Sequence, residues 1–233
     1  MTRWTIISLS INLLLLAIGL FALHRLGGWR FVVSRVQHSE TPLYQHRRQL
    51  FEQLPEQAGA IIFLGDSQTA LCEWRELFDD SLPILNRGIV ADHVAGVSLR
   101  LEEILRHQPA KIFLLVGVND LLFGKSVAEI ALGYGELVKK LRSRSPSTQL
   151  VLESVLPINN RVKNVGLQNA QIQALNTQIA QIARAHDLPF VDIYGPLTDS
   201  AGNLAARFTE DGVHLNGAGY GVWKAQLTPF FSQ

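Results

Sequence analysis

The sequence predicts an α/β domain whose parallel sheet is covered by helices on both faces, preceded by an N-terminal transmembrane helix. Two observations indicate this arrangement: short apolar runs alternate with longer helical patterns from residue 60 onward, and an uncharged apolar stretch occupies the N-terminus. Strands that alternate with helices in this way are joined by crossovers and therefore form parallel sheets. With 233 residues, the chain has room for one such domain and a short additional segment.

The predicted strands and helices follow one another in the order that such a domain requires. The strands are short and apolar and are expected over Ala60–Leu64, Pro83–Leu85, Ile112–Val116, Gln149–Val155 and Phe190–Ile193. The helices carry apolar residues three or four positions apart and are expected over Thr69–Phe78, Ala95–His107, Ser126–Arg144, Gln168–His186 and Gly217–Phe230. In sheets of this kind, functional groups collect at the carboxyl ends of the strands.

The N-terminal stretch from Trp4 to Leu23 contains 20 residues without a formal charge. At about 1.5 Å per residue, a helix of this length covers roughly 30 Å, which is the hydrocarbon thickness of a bilayer. The stretch therefore predicts an uncleaved single-pass anchor. A cleaved signal peptide and a buried core helix are alternatives, although residues 21–24 offer no small-residue cleavage site and a core helix is seldom apolar on every side.

The anchor divides the chain into three parts. We assign residues 1–24 to a transmembrane anchor, 25–59 to a juxtamembrane connector with an amphipathic helix near Leu43–Leu54, and 60–233 to the α/β domain. Arginines on the C-terminal side of the anchor favour a cytoplasmic domain. The very short N-terminal tail favours the opposite orientation, so that the expected location is a membrane with the domain extracytoplasmic.

Composition excludes several classes of function. Hydrophobic residues make up 47% and charged residues 18%, which is typical of a globular protein and not of a disordered one. A net charge of +1 provides no strong field for nucleic acid, so no nucleic-acid partner is expected. Cys72 is the only cysteine, and the histidines lack the spacing of metal ligands. We therefore expect neither a metal nor a cofactor.

Gly65-Asp66-Ser67-Gln68-Thr69 directly follows the first predicted strand. A serine at this position lies on a tight strand-to-helix turn, where helix-end amides favour a developing negative charge. Asp and Ser are also common helix caps, so the motif alone leaves a purely structural role open. Asp66 is expected to make local hydrogen bonds that hold the turn.

Asp211-Gly212-Val213-His214 is the second candidate motif. A spacing of three residues puts the carboxylate and the imidazole on one face of a helical turn. The carboxylate can then fix the tautomer of His214 and leave the other ring nitrogen free to take a proton. Because Asp-Gly is also a turn signal, a surface loop is the alternative interpretation.

Two further sites follow predicted strands. Asn119, in Gly117-Val118-Asn119-Asp120, can donate a side-chain hydrogen bond to an oxyanion, although Asn is also common in loops. Gly88, in Asn86-Arg87-Gly88, would allow its backbone N–H to approach a substrate oxygen closely. The motifs that follow strands are expected to meet at one edge of the sheet.

Taken in order, these four motifs resemble the sequence blocks of the SGNH (GDSL) hydrolase family. The likeness covers residues 60–231, and the stretches 84–88, 111–120 and 154–159 resemble its platelet-activating-factor acetylhydrolase-like branch. The resemblance implies a flavodoxin-like, three-layer α/β/α domain. One departure is Gln68, because the residue after the serine is usually apolar in the family.

The resemblance also implies a role for each site residue. Ser67 would be the nucleophile, His214 the general base and Asp211 the residue that orients it. The oxyanion would be held by the backbone N–H groups of Ser67 and Gly88 and by the side-chain amide of Asn119. The Gly-x-Ser-x-Gly signature of α/β-hydrolases is absent, since position 69 is Thr.

The predicted function is therefore that of a serine esterase or acylhydrolase. Short intervals between Ser67, Gly88 and Asn119 leave no room for a large lid, which favours small-acyl esters, acetyl first. An O-acetyltransferase with the same triad and an inactive membrane-tethered binding module are the alternatives. The expected partners are a small ester substrate and, through the N-terminal helix, a membrane; the oligomeric state is left open.

Overall fold

A computed structural model describes residues 3–25, 41–79 and 81–231 of the chain. The chain divides into two compact units, Met1–Thr41 and Pro42–Gln233. In the first unit, the described residues form one helix, α1 (Arg3–Arg25). All the strands that the structure describes belong to the second unit.

Helix α1 corresponds to the predicted anchor, but the membrane assignment is wrong. A helix that crosses a bilayer needs about 20 predominantly apolar residues in succession. Within the part of the chain that the structure describes, no helix combines sufficient length with sufficient apolarity to span a membrane. The polar residues Thr5, Ser8, Ser10 and Asn12 lie within α1. The single-pass anchor and the extracytoplasmic location of the domain are thus overturned.

The second unit begins with helix α2 (Pro42–Gln53), close to the predicted amphipathic helix. Tyr44 Oη donates a hydrogen bond to the carbonyl of Gly96 at 2.7 Å, and the Phe51 ring lies 4.7 Å from the Arg87 guanidinium. Both aromatic rings are buried. These contacts tie α2 to the α/β part of the unit. Residues 26–40 of the predicted connector lie outside the described residues. The predicted start of the hydrolase domain at residue 60 stays a prediction.

Five parallel strands form the sheet in the order β2-β1-β3-β4-β5. They are β1 (Ile61–Gly65), β2 (Ile84–Gly88), β3 (Lys111–Leu115), β4 (Gln149–Glu153) and β5 (Phe190–Val191). The predicted parallel sheet is confirmed, and its strand order is that of flavodoxin-like folds. In register, Gly65 at the end of β1 faces Gly88 on one side and Leu115 on the other. The loops that follow these three strands therefore leave the sheet at the same edge.

The remaining helices lie between and after the strands. They are α3 (Ser67–Ala70), α4 (Trp74–Phe78), α5 (Val94–Leu99), α6 (Leu101–Leu105), α7 (Val118–Leu122), α8 (Val127–Arg144), α9 (Asn169–Ala185), α10 (Tyr194–Leu197) and α11 (Gly217–Leu227), with 3₁₀ turns at Ala206–Phe208 and Thr228–Phe230. The helix predicted over Thr69–Phe78 is thus two short helices. The last helix ends earlier than predicted, and a 3₁₀ turn that begins at Thr228 and contains Pro229, which lacks an N–H, follows it.

The two faces of the sheet have different chemistry. Successive side chains of a strand point to opposite faces. Ile62 and Leu64 belong to an aliphatic cluster with residues of α5, α6, α8 and α9. Phe63 points the other way and stacks on Trp74 with ring centroids 3.9 Å apart, and Trp223 meets Trp74 edge-on at 4.9 Å. Helices therefore pack on both faces, with an aliphatic core on one side and an aromatic core on the other.

Candidate active site

The strand-to-helix turn after β1 holds Ser67 at the first position of α3. Asp66 caps this helix, since its Oδ1 accepts a hydrogen bond from the Gln68 amide at 3.0 Å. A side chain at Gly65 would place Cβ only 2.1 Å from the Leu115 carbonyl oxygen, so the turn requires glycine there. Asp66 is fully buried, and its predicted role in holding the turn is confirmed.

The loop that carries His214 is shaped by Gly212, whose φ of 81° is in the left-handed region. Asp211 Oδ1 accepts hydrogen bonds from the amides of Val213 at 2.9 Å and His214 at 2.8 Å. Its Oδ2 lies 2.7 Å from His214 Nδ1. The carboxylate is therefore bound both to the backbone of its own loop and to the imidazole.

Electrostatics keep the Asp211 carboxyl ionised. Partial burial would raise the pKa of Asp211, but the hydrogen bonds from the His214 ring and from the amides of His214 and Val213 outweigh it and lower the pKa to about 2. An ionised carboxylate beside Nδ1 favours the tautomer in which that nitrogen carries the proton. Nε2 is then an acceptor.

Ser67 and His214 meet although 147 residues separate them in the chain. His214 Nε2 lies 3.1 Å from Ser67 Oγ, which is hydrogen-bond distance. The hydroxyl, the imidazole and the Asp211 carboxylate therefore form one continuous chain of contacts. Ser67 is buried, whereas the side chains of His214 and Asp211 are 37% and 47% exposed.

Asn119 reaches the same edge of the sheet from the loop after β3. It lies in α7, which begins directly after Gly117, where the backbone φ is 136°. Its Nδ2 donates a hydrogen bond to the carbonyl of Asp92 at 2.8 Å. A side-chain amide has two N–H groups, so this contact orients Asn119 and leaves the second N–H for another acceptor. Its neighbour Asp120 accepts from the Val94 amide, as expected for a residue that holds this loop.

Gly88 is placed differently from its predicted role. Its N–H donates to the side chain of Asn86 at 2.9 Å, so this donor already has an acceptor. A Cβ at Gly88 would lie 2.2 Å from the Ala70 nitrogen, which accounts for the glycine by the close packing of β2 against α3. A role as oxyanion donor stays a prediction and requires Asn86 to release the amide.

A buried ion pair beneath the site was missed by the sequence interpretation. Asp92 and Arg100 are fully buried and lie 2.9 Å apart, and Arg100 also donates to the carbonyl of Gly65 at 3.1 Å. Because the carbonyl of Asp92 accepts from Asn119, this pair connects the Asn119 loop with the end of β1. The only sequence signal was the position of Arg100 between two apolar residues, Leu99 and Leu101.

Two histidines outside this site make structural contacts. His107 Nδ1 accepts from the Gln57 amide at 3.0 Å, and its Nε2 lies 3.1 Å from Glu103. His93 caps α5 by accepting from the Gly96 amide at 3.2 Å. Across residues 3–25, 41–79 and 81–231, no three His, Cys, Asp or Glu side chains are grouped so that they could hold a metal ion.

An open groove of about 500 Å³ lies beside the turn and the His214 loop. Its lining includes Leu71, which ends α3 and whose amide donates to the carbonyl of Ser67, and Leu215, which follows His214. The complete lining is Leu71, Cys72, Glu73, Glu76, Leu77, Leu215, Gly217 and Tyr220. Apolar side chains predominate, and both charged residues are acidic.

Comparison with known proteins shows which family the chain resembles. The model of the GDSL-like Lipase/Acylhydrolase family matches residues 63–222. The platelet-activating factor acetylhydrolase IB subunit alpha2 of Rattus norvegicus is 28% identical over 192 residues, which cover 79% of this chain and 81% of that protein.

Solved structures give the same result. A structure from Streptococcus pneumonia described as a platelet activating factor has a TM-score of 0.71 and 27% identity, and covers 95% of this chain and 98% of its own. A GDSL-like lipase from Bacteroides thetaiotaomicron shares the fold, with a TM-score of 0.68, 22% identity and coverage of 81% of this chain and 97% of its own. The chain therefore belongs to the GDSL-like lipase/acylhydrolase family, in its platelet-activating-factor acetylhydrolase-like branch, and is an ester hydrolase.

Proposed function

We propose that the protein is a serine esterase that cleaves small-acyl esters, acetyl esters first, with Ser67, His214 and Asp211 as its catalytic triad. One observation carries the proposal: distances of 3.1 Å and 2.7 Å link Ser67 Oγ to His214 Nε2 and His214 Nδ1 to Asp211 Oδ2. Three groups with these contacts are the requirement for activating a serine hydroxyl.

Catalysis then proceeds in two halves. Ser67 Oγ attacks the ester carbonyl while His214 Nε2 takes its proton, and the Asp211 carboxylate stabilises the resulting imidazolium. His214 returns the proton to the leaving alcohol, and an acyl-enzyme on Ser67 remains. Water, deprotonated by His214, attacks the acyl-enzyme, and the proton returns to Ser67 as the acid leaves.

The negative charge of the tetrahedral intermediate requires hydrogen-bond donors. The backbone N–H of Ser67 and the second side-chain N–H of Asn119 are the donors that we assign. Gly88 would join them only if its N–H left Asn86, to which it now donates. Preorganised donors of this kind contribute strongly because they need no reorganisation when charge develops.

We propose that the groove receives the leaving alcohol. His214 must protonate the leaving oxygen, and Leu215, which directly follows His214, lines the groove. The lining contains Glu73 and Glu76 and no lysine or arginine. We therefore propose neutral or cationic alcohols as leaving groups. The small acyl group is supported by the name of the rat relative, an acetylhydrolase.

Labelling with a fluorophosphonate probe tests the nucleophile, because only an activated serine reacts. The wild-type protein should be labelled and should hydrolyse p-nitrophenyl acetate. Ser67→Ala should lose the label and retain only background hydrolysis, a loss of about 10⁴-fold or more. If Ser67→Ala keeps most of the activity, the nucleophile is assigned wrongly.

Acyl length is tested with p-nitrophenyl esters that differ only in the acid. We expect kcat/KM to be higher for the acetate than for the palmitate ester, since the leaving group is the same in both. A strong preference for palmitate would refute the small-acyl proposal and leave the triad untouched. Transfer of the acetyl group to an added sugar, in place of release as acetate, would identify the protein as an O-acetyltransferase.

A further inference from the structure

Gln68 makes an unusual contact next to the proposed nucleophile. It is the second residue of α3 and is 3% exposed. Its Nε2 donates a hydrogen bond of 2.7 Å to the carbonyl of Val213, 145 residues away. Val213 lies between Asp211 and His214, so this side chain joins the serine turn to the loop that carries the imidazole.

The chemistry of the amide fixes its orientation. A flipped Gln68 amide would set its oxygen against the Val213 carbonyl oxygen, and two acceptors repel each other. In the observed orientation, Oε1 is buried and has no hydrogen-bond partner among the described residues. A buried acceptor without a partner is destabilising. Packing alone would therefore favour an apolar residue here, and the amide must have another use.

The loop has few other attachments of this kind. Asn159 donates its amide to the carbonyl of Gly212 at 2.7 Å, and the Gly212 amide donates to Thr209 Oγ1 at 2.9 Å. These bonds hold the start of the loop, and after His214 the Asn216 amide donates to the carbonyl of Phe208 at 2.9 Å; none of them involves Val213. On the serine side, Tyr220 Oη fixes the backbone of Gln68 by donating to its carbonyl at 2.7 Å. The backbone of Gln68 is thus held in place, and its side chain binds the Val213 carbonyl to it.

We propose that Gln68 is a positioning residue that holds His214 Nε2 within reach of Ser67 Oγ. The inference rests on the proposed function and adds the device that keeps its triad assembled. Gln68 is buried and does not meet the substrate. Its loss should therefore lower kcat and leave KM nearly unchanged.

The first test replaces Gln68 by methionine, which has the same length but no donor. For Gln68→Met we expect kcat for p-nitrophenyl acetate to fall about tenfold, the ratio that corresponds to one hydrogen bond in the transition state. Gln173→Met is the matched control, because Gln173 Nε2 donates to Tyr194 Oη at 3.0 Å on the exposed side of α9. The control should keep the wild-type kcat.

A second variant gives a signature that a merely structural role would not produce. In Gln68→Glu, a protonated carboxyl can donate its O–H to the Val213 carbonyl, whereas an ionised carboxylate repels it. Burial raises the pKa of a carboxyl, so the protonated form is accessible near neutral pH. The kcat of Gln68→Glu divided by that of wild type should rise as the pH falls from 8 to 6. The same ratio for Gln68→Met should be independent of pH, since methionine has no titratable group.

A structural readout separates this inference from the proposed function. Crystal structures of wild type and Gln68→Met should show the distance from Ser67 Oγ to His214 Nε2 increasing beyond 3.5 Å in the variant. The inference is overturned if that distance is unchanged, if Gln68→Met keeps kcat within twofold of wild type, or if the Gln68→Glu ratio does not depend on pH. Wild-type protein that neither hydrolyses the acetate nor reacts with the fluorophosphonate would overturn the proposed function instead, and the distance would still test Gln68.

Discussion

The serine turn and the His214 loop are held in place in different ways. Asp66, Ser67 and Gln68 are all buried, and the carbonyl that precedes them accepts a hydrogen bond from the buried Arg100. In the His214 loop, the side chains of Asp211 and His214 are each more than a third exposed. The core of the domain fixes the proposed nucleophile, whereas a small number of hydrogen bonds fixes the proposed general base.

This difference predicts how substitutions in the two segments affect activity and stability. A single hydrogen bond contributes about 0.5–1.5 kcal/mol net, so a segment held by a few of them can open locally while the core stays folded. The serine turn can move only if buried side chains are exposed. Substitutions in the loop should therefore change activity without changing stability, and substitutions around the turn should change both.

The largest effect is expected for His214→Ala. Removing the base should lower kcat about 10⁴-fold or more, because the members of a triad act as a unit. The melting temperature should stay close to that of wild type, since substitutions of exposed residues usually change stability by less than about 0.5 kcal/mol. Hydrolysis kinetics and a thermal melt test this together. A variant that unfolds would contradict the division between loop and core.

Asn119→Ala should lower both activity and stability. Loss of one oxyanion donor typically lowers kcat about 100- to 1000-fold. Asn119 also holds the carbonyl of Asp92, so the variant should lose about 1 kcal/mol of stability as well.

The matched control for this variant is Asn176→Ala. Asn176 also binds backbone, with its Nδ2 2.9 Å from the carbonyl of Val155. It should lose stability with little change in kcat. Equal losses of kcat in both variants would remove Asn119 from the site.

The smallest effect is expected for Asp66→Asn. Burial raises the pKa of Asp66 to about 7, so the carboxyl binds its proton more tightly in the folded than in the unfolded chain. Its contribution to stability is therefore complete at low pH and is lost as the pH rises through about 7. Asparagine keeps the capping oxygen and has no such titration. Asp66→Asn should gain stability relative to wild type between pH 5 and pH 8, as measured by urea unfolding. A constant difference would show that burial does not govern this carboxyl.

The sheet could be predicted because each strand is recognisable from its own residues. Apolar runs between turn residues identified all five strands. The limits of four differ from the prediction by one or two residues, and the second ends three residues later than predicted. The strand predicted over Pro83–Leu85 extends to Gly88, because Arg87 is accommodated by a buried ion pair with Glu103 at 2.9 Å. That partner lies in a later helix and cannot be recognised from the strand itself.

The helix predicted over Ala95–His107 shows where local patterns fail. The apolar pattern placed Leu99 in the core, yet Leu99 is 59% exposed and the charged Arg100 beside it is buried. The helix breaks at Arg100 so that its guanidinium can reach Asp92. A long-range ion pair here outweighs the hydrophobic pattern on which the prediction depended.

The candidate site was predicted better for side chains than for backbone groups. The sequence singled out Ser67, Asp211, His214 and Asn119 because their chemistry is specific, and their catalytic roles stay predictions. The N–H of Gly88 donates to the side chain of Asn86. The sequence alone does not show which acceptor a backbone N–H will find. Gln68 was noticed only as a departure from the family pattern, since its acceptor lies at the far end of the chain.

The tryptophans on the aromatic side of the sheet allow the surroundings of the Ser67 turn to be followed by fluorescence. Trp74 Nε1 donates to the carbonyl of Thr69, in the same short helix as the serine, and its ring lies against Trp223 of the last helix. Both indoles are shielded from water, so their fluorescence emission should be shifted to the blue. A red shift on titration with denaturant would show, without any added dye, that solvent has reached the side chains packed behind the Ser67 turn.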